Sequence, residues 1–138
     1  MLLITLLMML GIVPSPALAS EISSYTVEFS PKTAPLILQA IATKYNLHVA
    51  EFTAVAKCES NFRADALNRA DPGTGSKGVF QFQDGTFMEF SKKAGLLDAD
   101  VWNPWDNIEV AAYMFSLGDS GKKHWTCWHK YKNGAFGP

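Results

Sequence analysis

The opening residues set the frame for everything after them. Met1 to Ser20 carries no charged side chain, and Leu2 to Val13 is almost unbroken apolar sequence. That run is shorter than the ~20 apolar residues a membrane-spanning helix needs. Pro14 and Pro16 break it, and Ala17-Leu18-Ala19 supplies the small-x-small pattern that signal peptidase cuts. Residues 1–19 therefore read as a signal peptide, although the n-region has only its α-amino charge. The alternative is an uncleaved N-terminal anchor. With the signal removed no membrane span is expected, and residues 20–138 remain, one domain on the usual ~100–200 residues.

Export decides how the two cysteines, Cys58 and Cys127, are read. An even cysteine count in an oxidising compartment suggests a disulfide. Closing a loop that long stabilises a fold by about 4 kcal/mol in the chain-entropy model. Zinc competes with this reading, because His124, Cys127 and His129 cluster, but a structural site wants four ligands and would need Cys58 as well. Two free thiols would suit a cytosolic chain. Composition adds one exclusion: net charge is -1, hydrophobic residues make up 48 %, and there is no Lys/Arg block. A folded domain without a basic stripe is not an electrostatic nucleic-acid binder.

Residues 20–34 form an exposed, Ser/Thr-containing lead-in, with a short extended piece over Tyr25–Phe29. Helical spacing then begins: Pro35 suits a first turn, and Leu36, Ile37, Ala40, Ile41 and Tyr45 recur until Asn46 stops the helix. A second helix from Val49 places Phe52, Val55, Ala56 and Glu59 on one face. Glu51 falls off that stripe and reads as an inert comparison acid. Asn61 to Gly78 has the punctuation of a long loop, matching neither a phosphate loop nor an EF-hand. Gly78–Phe82 looks like a short β run, Thr86–Ala94 like a third helix ending at Gly95. Asn103-Pro104-Trp105-Asp106 is a helix start with an N-cap, a first-turn proline and a first-turn acid, and that helix stops at Gly118. The expected fold is mostly α with a minor β element, tied by one disulfide.

Glu59 is the residue with chemistry to offer. It is the last member of an apolar stripe, followed by a polar, glycine-rich loop. Partial burial disfavours a carboxylate's charged form and raises its pKa, as a general acid near neutral pH requires. A solvent-facing Glu on the last helical turn is the plain alternative.

Ala54-Val55-Ala56-Lys57-Cys58-Glu59-Ser60-Asn61-Phe62 resembles the catalytic segment of the soluble lytic transglycosylase and goose-type lysozyme superfamily. Gly78-Val79-Phe80-Gln81-Phe82 with Thr86-Phe87 resembles that family's second motif, and Asn107-Ile108 with Ala111 and Tyr113-Met114 its third. Cys58-Glu59-Ser60 and the late Trp125-Thr126-Cys127 are similar to the resuscitation-promoting-factor type of domain, in which the cysteine beside the catalytic Glu is bridged to one near the C-terminus. The resemblance covers roughly Leu36 to Trp128. It implies a lysozyme-like α+β domain over 35–131 with a tail over 132–138.

The signal peptide predicts a secreted or periplasmic protein, expected as a monomer, and the resemblance implies an enzyme acting on peptidoglycan glycan strands with no cofactor and no metal. Glu59 would be its catalytic acid, and the product a 1,6-anhydro sugar. Ordinary glycosidases instead use two flanking acids. Asp71, Asp84 and Asp65 are the candidates for a second one, each more readily a solvated turn residue. Ser60, Gln81, Phe82 and Trp125 are the expected substrate-binding residues. Gln81 could equally be a structural amide, and Ser60 could orient Glu59 or cap the helix. Trp102, Trp105, Trp125 and Trp128 invite sugar stacking, with Trp125 and Trp128 the better cleft candidates and core packing the alternative. The family's late Tyr-Asn-x-Gly motif is out of register here at Tyr131-Lys132-Asn133-Gly134, so Tyr131 takes no catalytic role. A hydrolytic lysozyme on the same fold, or a non-catalytic peptidoglycan-binding component of a phage or secretion machine, are the rival readings.

Overall fold

Ser30 and Thr33 launch the first helix by capping one another: Ser30 N–H donates to Thr33 Oγ1 at 2.9 Å and Thr33 N–H to Ser30 Oγ at 3.2 Å. Helix α1, Ala34–Lys44, follows with Pro35 in its first turn, where a missing N–H costs nothing. Ala34, Ile37, Leu38, Ile41 and Ala42 bury one face of it. Asn46 ends the segment in the left-handed region at φ 55°, a conformation Asn tolerates better than most residues. The computed structural model describes residues 27–136. The expected signal peptide, residues 1–19, lies outside them, as does the start of the expected extended piece; Val27–Phe29 joins no strand.

Helix α2, Val49–Ser60, starts on His48, whose Nδ1 accepts from Glu51 N–H at 3.2 Å. It packs on α1 and buries Phe52, Val55 and Ala56. It stops at Asn61, left-handed at φ 53°, and Phe62 is left-handed as well at φ 65°. A two-stranded antiparallel sheet follows, β1 Leu67–Asn68 against β2 Ser76–Lys77, with Leu67 opposite Lys77 and Asn68 opposite Ser76. Gly75, at φ 85°, lets this hairpin close: a Cβ there would stand 2.5 Å from the Asn68 carbonyl oxygen.

Helix α3, Asp84–Lys93, begins two residues before the Thr86 start expected from sequence. Its first residue is anchored from outside the helix: Lys77 Nζ donates to Asp84 Oδ1 at 2.5 Å and Thr74 Oγ1 to Asp84 Oδ2 at 2.6 Å. Helix α4, Pro104–Ser116, starts as its sequence dictates, with Asn103 Oδ1 accepting from Trp105 N–H at 3.0 Å. It packs on α1 and α3 and buries Asn107, Ile108, Val110, Ala111, Ala112, Met114 and Phe115. A short α5, Asp119–Lys122, leads to α6, Thr126–Lys132, which lies on α2 and is joined to it by the Cys58–Cys127 disulfide. Phe52, Phe80, Phe115 and Trp125 form the centre of the core, with Phe52–Phe80 ring centroids 4.7 Å apart and Phe115–Trp125 5.2 Å apart. The domain is mostly helical with a minor sheet, as expected. Among the described residues no helix is long and apolar enough to cross a membrane.

Three expectations are corrected here. Gly78–Phe82 is not a strand but a tight turn, closed by a single bridge between Lys77 and Phe82, with Gly78 and Gln81 both at positive φ. It buries Val79 and Phe80 completely, and a strand would have sent these neighbours to opposite faces. Trp128 is not a cleft residue: it is buried, and its Nε1 donates to Glu51 Oε1 at 2.8 Å. Glu51 is correspondingly no inert acid, because Lys122 Nζ also donates to its Oε2 at 2.9 Å, in an ion pair largely shielded from water. Through Lys122 and Trp128, Glu51 fastens α2 to α5 and α6.

Candidate active site

Glu59 lies in the last turn of α2, half-buried, beside the disulfide. Its Oε1 accepts from the Cys127 N–H at 3.3 Å, a donor at the start of α6. Burial pushes its pKa above the usual carboxylate range, and the nearby Asp71 charge pushes the same way. The Cys127 hydrogen bond and the Lys130 ammonium pull it down, and burial prevails. The disulfide, with Cα atoms 5.9 Å apart, fastens the donor's residue to the residue preceding the acceptor. Both sulfurs are therefore committed to each other and cannot serve as zinc ligands, and His129 Nε2 is hydrogen-bonded to the Lys123 carbonyl at 3.1 Å.

Ser60 is turned to another task. Its hydroxyl donates to the Val79 carbonyl at 2.7 Å and accepts from Arg63 N–H at 3.2 Å, tying the end of α2 to the 78–82 turn. That turn is in turn held by Asn107, fully buried in α4. Asn107 Oδ1 accepts from Phe80 N–H at 2.9 Å, and Nδ2 donates to the carbonyls of Val101 at 2.8 Å and Lys77 at 3.3 Å. Gly78 has to be glycine here, since a Cβ would stand 2.4 Å from Asn107 Nδ2. Asn107→Ala leaves Phe80 N–H buried without a partner, which costs about 1–3 kcal/mol for that group alone. Urea unfolding is expected to show a loss of at least about 2 kcal/mol. A change within about 0.5 kcal/mol, the range of an ordinary surface substitution, would show that the amide does not hold the turn.

The turn carries Gln81 and Phe82 to a polar cleft of about 450 Å³, which Glu59 lines from α2. Trp125 forms part of the wall; it is buried, and its Nε1 donates to the Phe80 carbonyl at 2.7 Å. Gln81 Nε2 donates to the carbonyls of Ala66 at 3.1 Å and Gly78 at 2.9 Å, so its amide oxygen is what remains for a ligand's hydroxyl or N–H. Gln81 is thus both a structural amide and a lining residue. Of the four residues expected to meet substrate, Gln81, Phe82 and Trp125 line the cleft and Ser60 does not.

The structure adds lining residues that sequence reasoning missed or set aside. Asn68 and Ser76 come from the hairpin, Gln83 and Thr86 from the start of α3, His124 from the approach to α6 and Thr126 from its first position. Thr86 was signalled by the second motif and Thr126 by the late Trp125-Thr126-Cys127 stretch; the others carry no motif. Asp71 also lines the cleft, half-buried, and departs from the solvated turn residue its Asp-Pro-Gly setting suggested. Asp84 is engaged with Lys77 and Thr74, which hold its carboxyl below the usual range, and Asp65 is exposed beside Arg63. Tyr131 packs edge-on against Phe136, with centroids 6.0 Å apart, away from the cleft lining.

A half-buried glutamic acid ends an apolar helix at the wall of a polar cleft, and a turn braced by a buried Asn stands beside it. Residues 37–137 match the family model of the Transglycosylase SLT domain. The chain belongs to that family. No curated protein and no solved structure matches it. At the family level this is a lytic transglycosylase-type domain whose substrate is peptidoglycan, a polymer that lies outside the cytoplasm. Within the SLT domain, the first motif supplies Glu59, the second the turn with Gln81, and the third the Asn107 that braces it.

Proposed function

We propose that this SLT domain is an exported lytic transglycosylase that cleaves the bond between N-acetylmuramic acid and N-acetylglucosamine, with Glu59 as the single catalytic acid and base. The observation that carries the reading is the environment of Glu59, a carboxyl held above its ordinary pKa at the wall of a polar cleft. As an acid, Glu59 donates its proton to the glycosidic oxygen, and the bond from that oxygen to the muramyl C1 breaks. The carboxylate left behind then takes the proton of the same sugar's 6-hydroxyl, whose oxygen closes on C1. Atoms balance without water, and the product is a 1,6-anhydromuramyl end. The Cys127 N–H stabilises the carboxylate between the two steps. Asp71 places a negative charge in the cleft where the reacting sugar gains oxocarbenium-like positive character. The N-terminal segment 1–19 would deliver the chain to its substrate.

Asp71 also supports a second reading, hydrolysis, in which it would activate a water as the second acid of an inverting glycosidase. Muropeptides released from purified sacculi separate the two. The lyase yields ends that borohydride cannot reduce; a hydrolase yields reducible ends. Under the proposal Asp71→Asn still gives anhydro ends, at a lower rate. Reducible ends from the wild type, lost in Asp71→Asn, would establish hydrolysis, and no release at all would favour a binding module.

A further inference from the structure

The charge inventory of the cleft is lopsided. Glu59 and Asp71 line it, His124 is the one other titratable group there, and among the described residues no Lys or Arg does. Lys77, next to the lining residue Ser76, has its ammonium taken by Asp84 and Thr74. Lys130 is exposed and acts on Glu59 without lining the cleft. The remaining polar lining consists of neutral amides and hydroxyls, such as Asn68, Gln81, Gln83 and Thr86, which suit sugar hydroxyls and acetamido groups. Apart from the His124 imidazole, nothing in this lining offers a countercharge to an anion.

The substrate can bring an anion. Each muramyl sugar bears a lactyl ether beside the reacting ring, and in intact peptidoglycan its carboxyl is an uncharged amide joined to the stem peptide. Once that peptide is removed the same position holds a free carboxylate. Taking the peptidoglycan reading above as its basis, we infer that the cleft discriminates by charge: it accepts strands whose lactyl carboxyl is capped as an amide and rejects strands whose lactyl carboxylate is free. The conflict is worst after Glu59 has given up its proton, when substrate, Glu59 and Asp71 would carry three like charges around one cleft. Asp71 opposes the free carboxylate throughout.

The test uses three substrates with the full exported chain: peptide-bearing strands, strands stripped of peptide by an amidase, and stripped strands whose carboxylates are then capped as methylamides. The stripped strands are expected to be cut with kcat/KM at least about 10-fold lower than peptide-bearing ones, a factor equivalent to ~1.4 kcal/mol. Methylamide capping should recover most of that loss although no peptide has been restored. Added salt and Asp71→Asn should each narrow the gap between stripped and capped strands. Equal rates on stripped and peptide-bearing strands would overturn the inference. So would capped strands that stay as slow as stripped ones, since the peptide itself would then be what the enzyme reads. Cleavage of none of the three would instead overturn the peptidoglycan reading, and this inference with it.

Discussion

Glu59→Gln is expected to remove lytic activity while leaving the fold intact. The amide keeps the acid's shape and can still accept from the Cys127 N–H, but it neither delivers nor takes up a proton. Assistance by one general acid or base contributes about 10²–10⁴-fold, and here one group serves both half-reactions, so the loss lies at or beyond the upper end. Asp65→Asn is the comparison, an exposed acid outside the cleft lining, and it should match wild type. A Glu59→Gln protein retaining more than about a tenth of wild-type activity would place the chemistry elsewhere, because that loss falls short of what a general acid supplies.

The same substitution has a stability signature whose sign follows from the raised pKa. Between the ordinary carboxylate pKa and the raised value of folded Glu59, the native state binds the proton and the unfolded state does not. Stability therefore falls as pH rises through that window. Glu59→Gln escapes the penalty, so it should be at least as stable as wild type above the window, with the advantage vanishing below it. Wild-type activity should fall as pH rises through the upper end of the same window, since the proton donor is lost there.

Replacing both cysteines by serine is expected to cost about 4 kcal/mol, the chain-entropy contribution of a loop of 69 residues. Urea unfolding of the double variant against the oxidised wild type measures it, and a loss below about 1 kcal/mol would contradict it. The bridge has a second consequence, because it clasps α6 to α2 at the residues flanking the Glu59–Cys127 hydrogen bond. That bond lowers the Glu59 pKa, so the folded remainder of the double variant should show an activity profile displaced to higher pH.

Much of this was legible in the chain because it is local. Helix α4 is announced by Asn103 and Pro104, and the stripe Phe52, Val55, Ala56 carries Glu59 at its end. What was hidden depends on contacts distant in sequence. Gly78–Phe82 mimics a strand because apolar residues crowd it, yet Asn107, about thirty positions on, draws its backbone into a turn. Glu51 looked inert because its partners Lys122 and Trp128 lie 71 and 77 positions away. Asp71 sits in an ordinary turn sequence, and the fold of the hairpin brings it to the cleft that Glu59 lines. Such placements follow from packing of whole elements, which local spacing does not encode.

In the proposed reaction the muramyl 6-hydroxyl, and not water, closes on C1. Digestion of sacculi in water enriched in ¹⁸O, with mass spectrometry of the released ends, tests it directly. The expected ends are lighter than a reducing sugar by one water and free of the label. Ends that carry one ¹⁸O at C1 from the moment of cleavage would contradict it and make the enzyme a hydrolase.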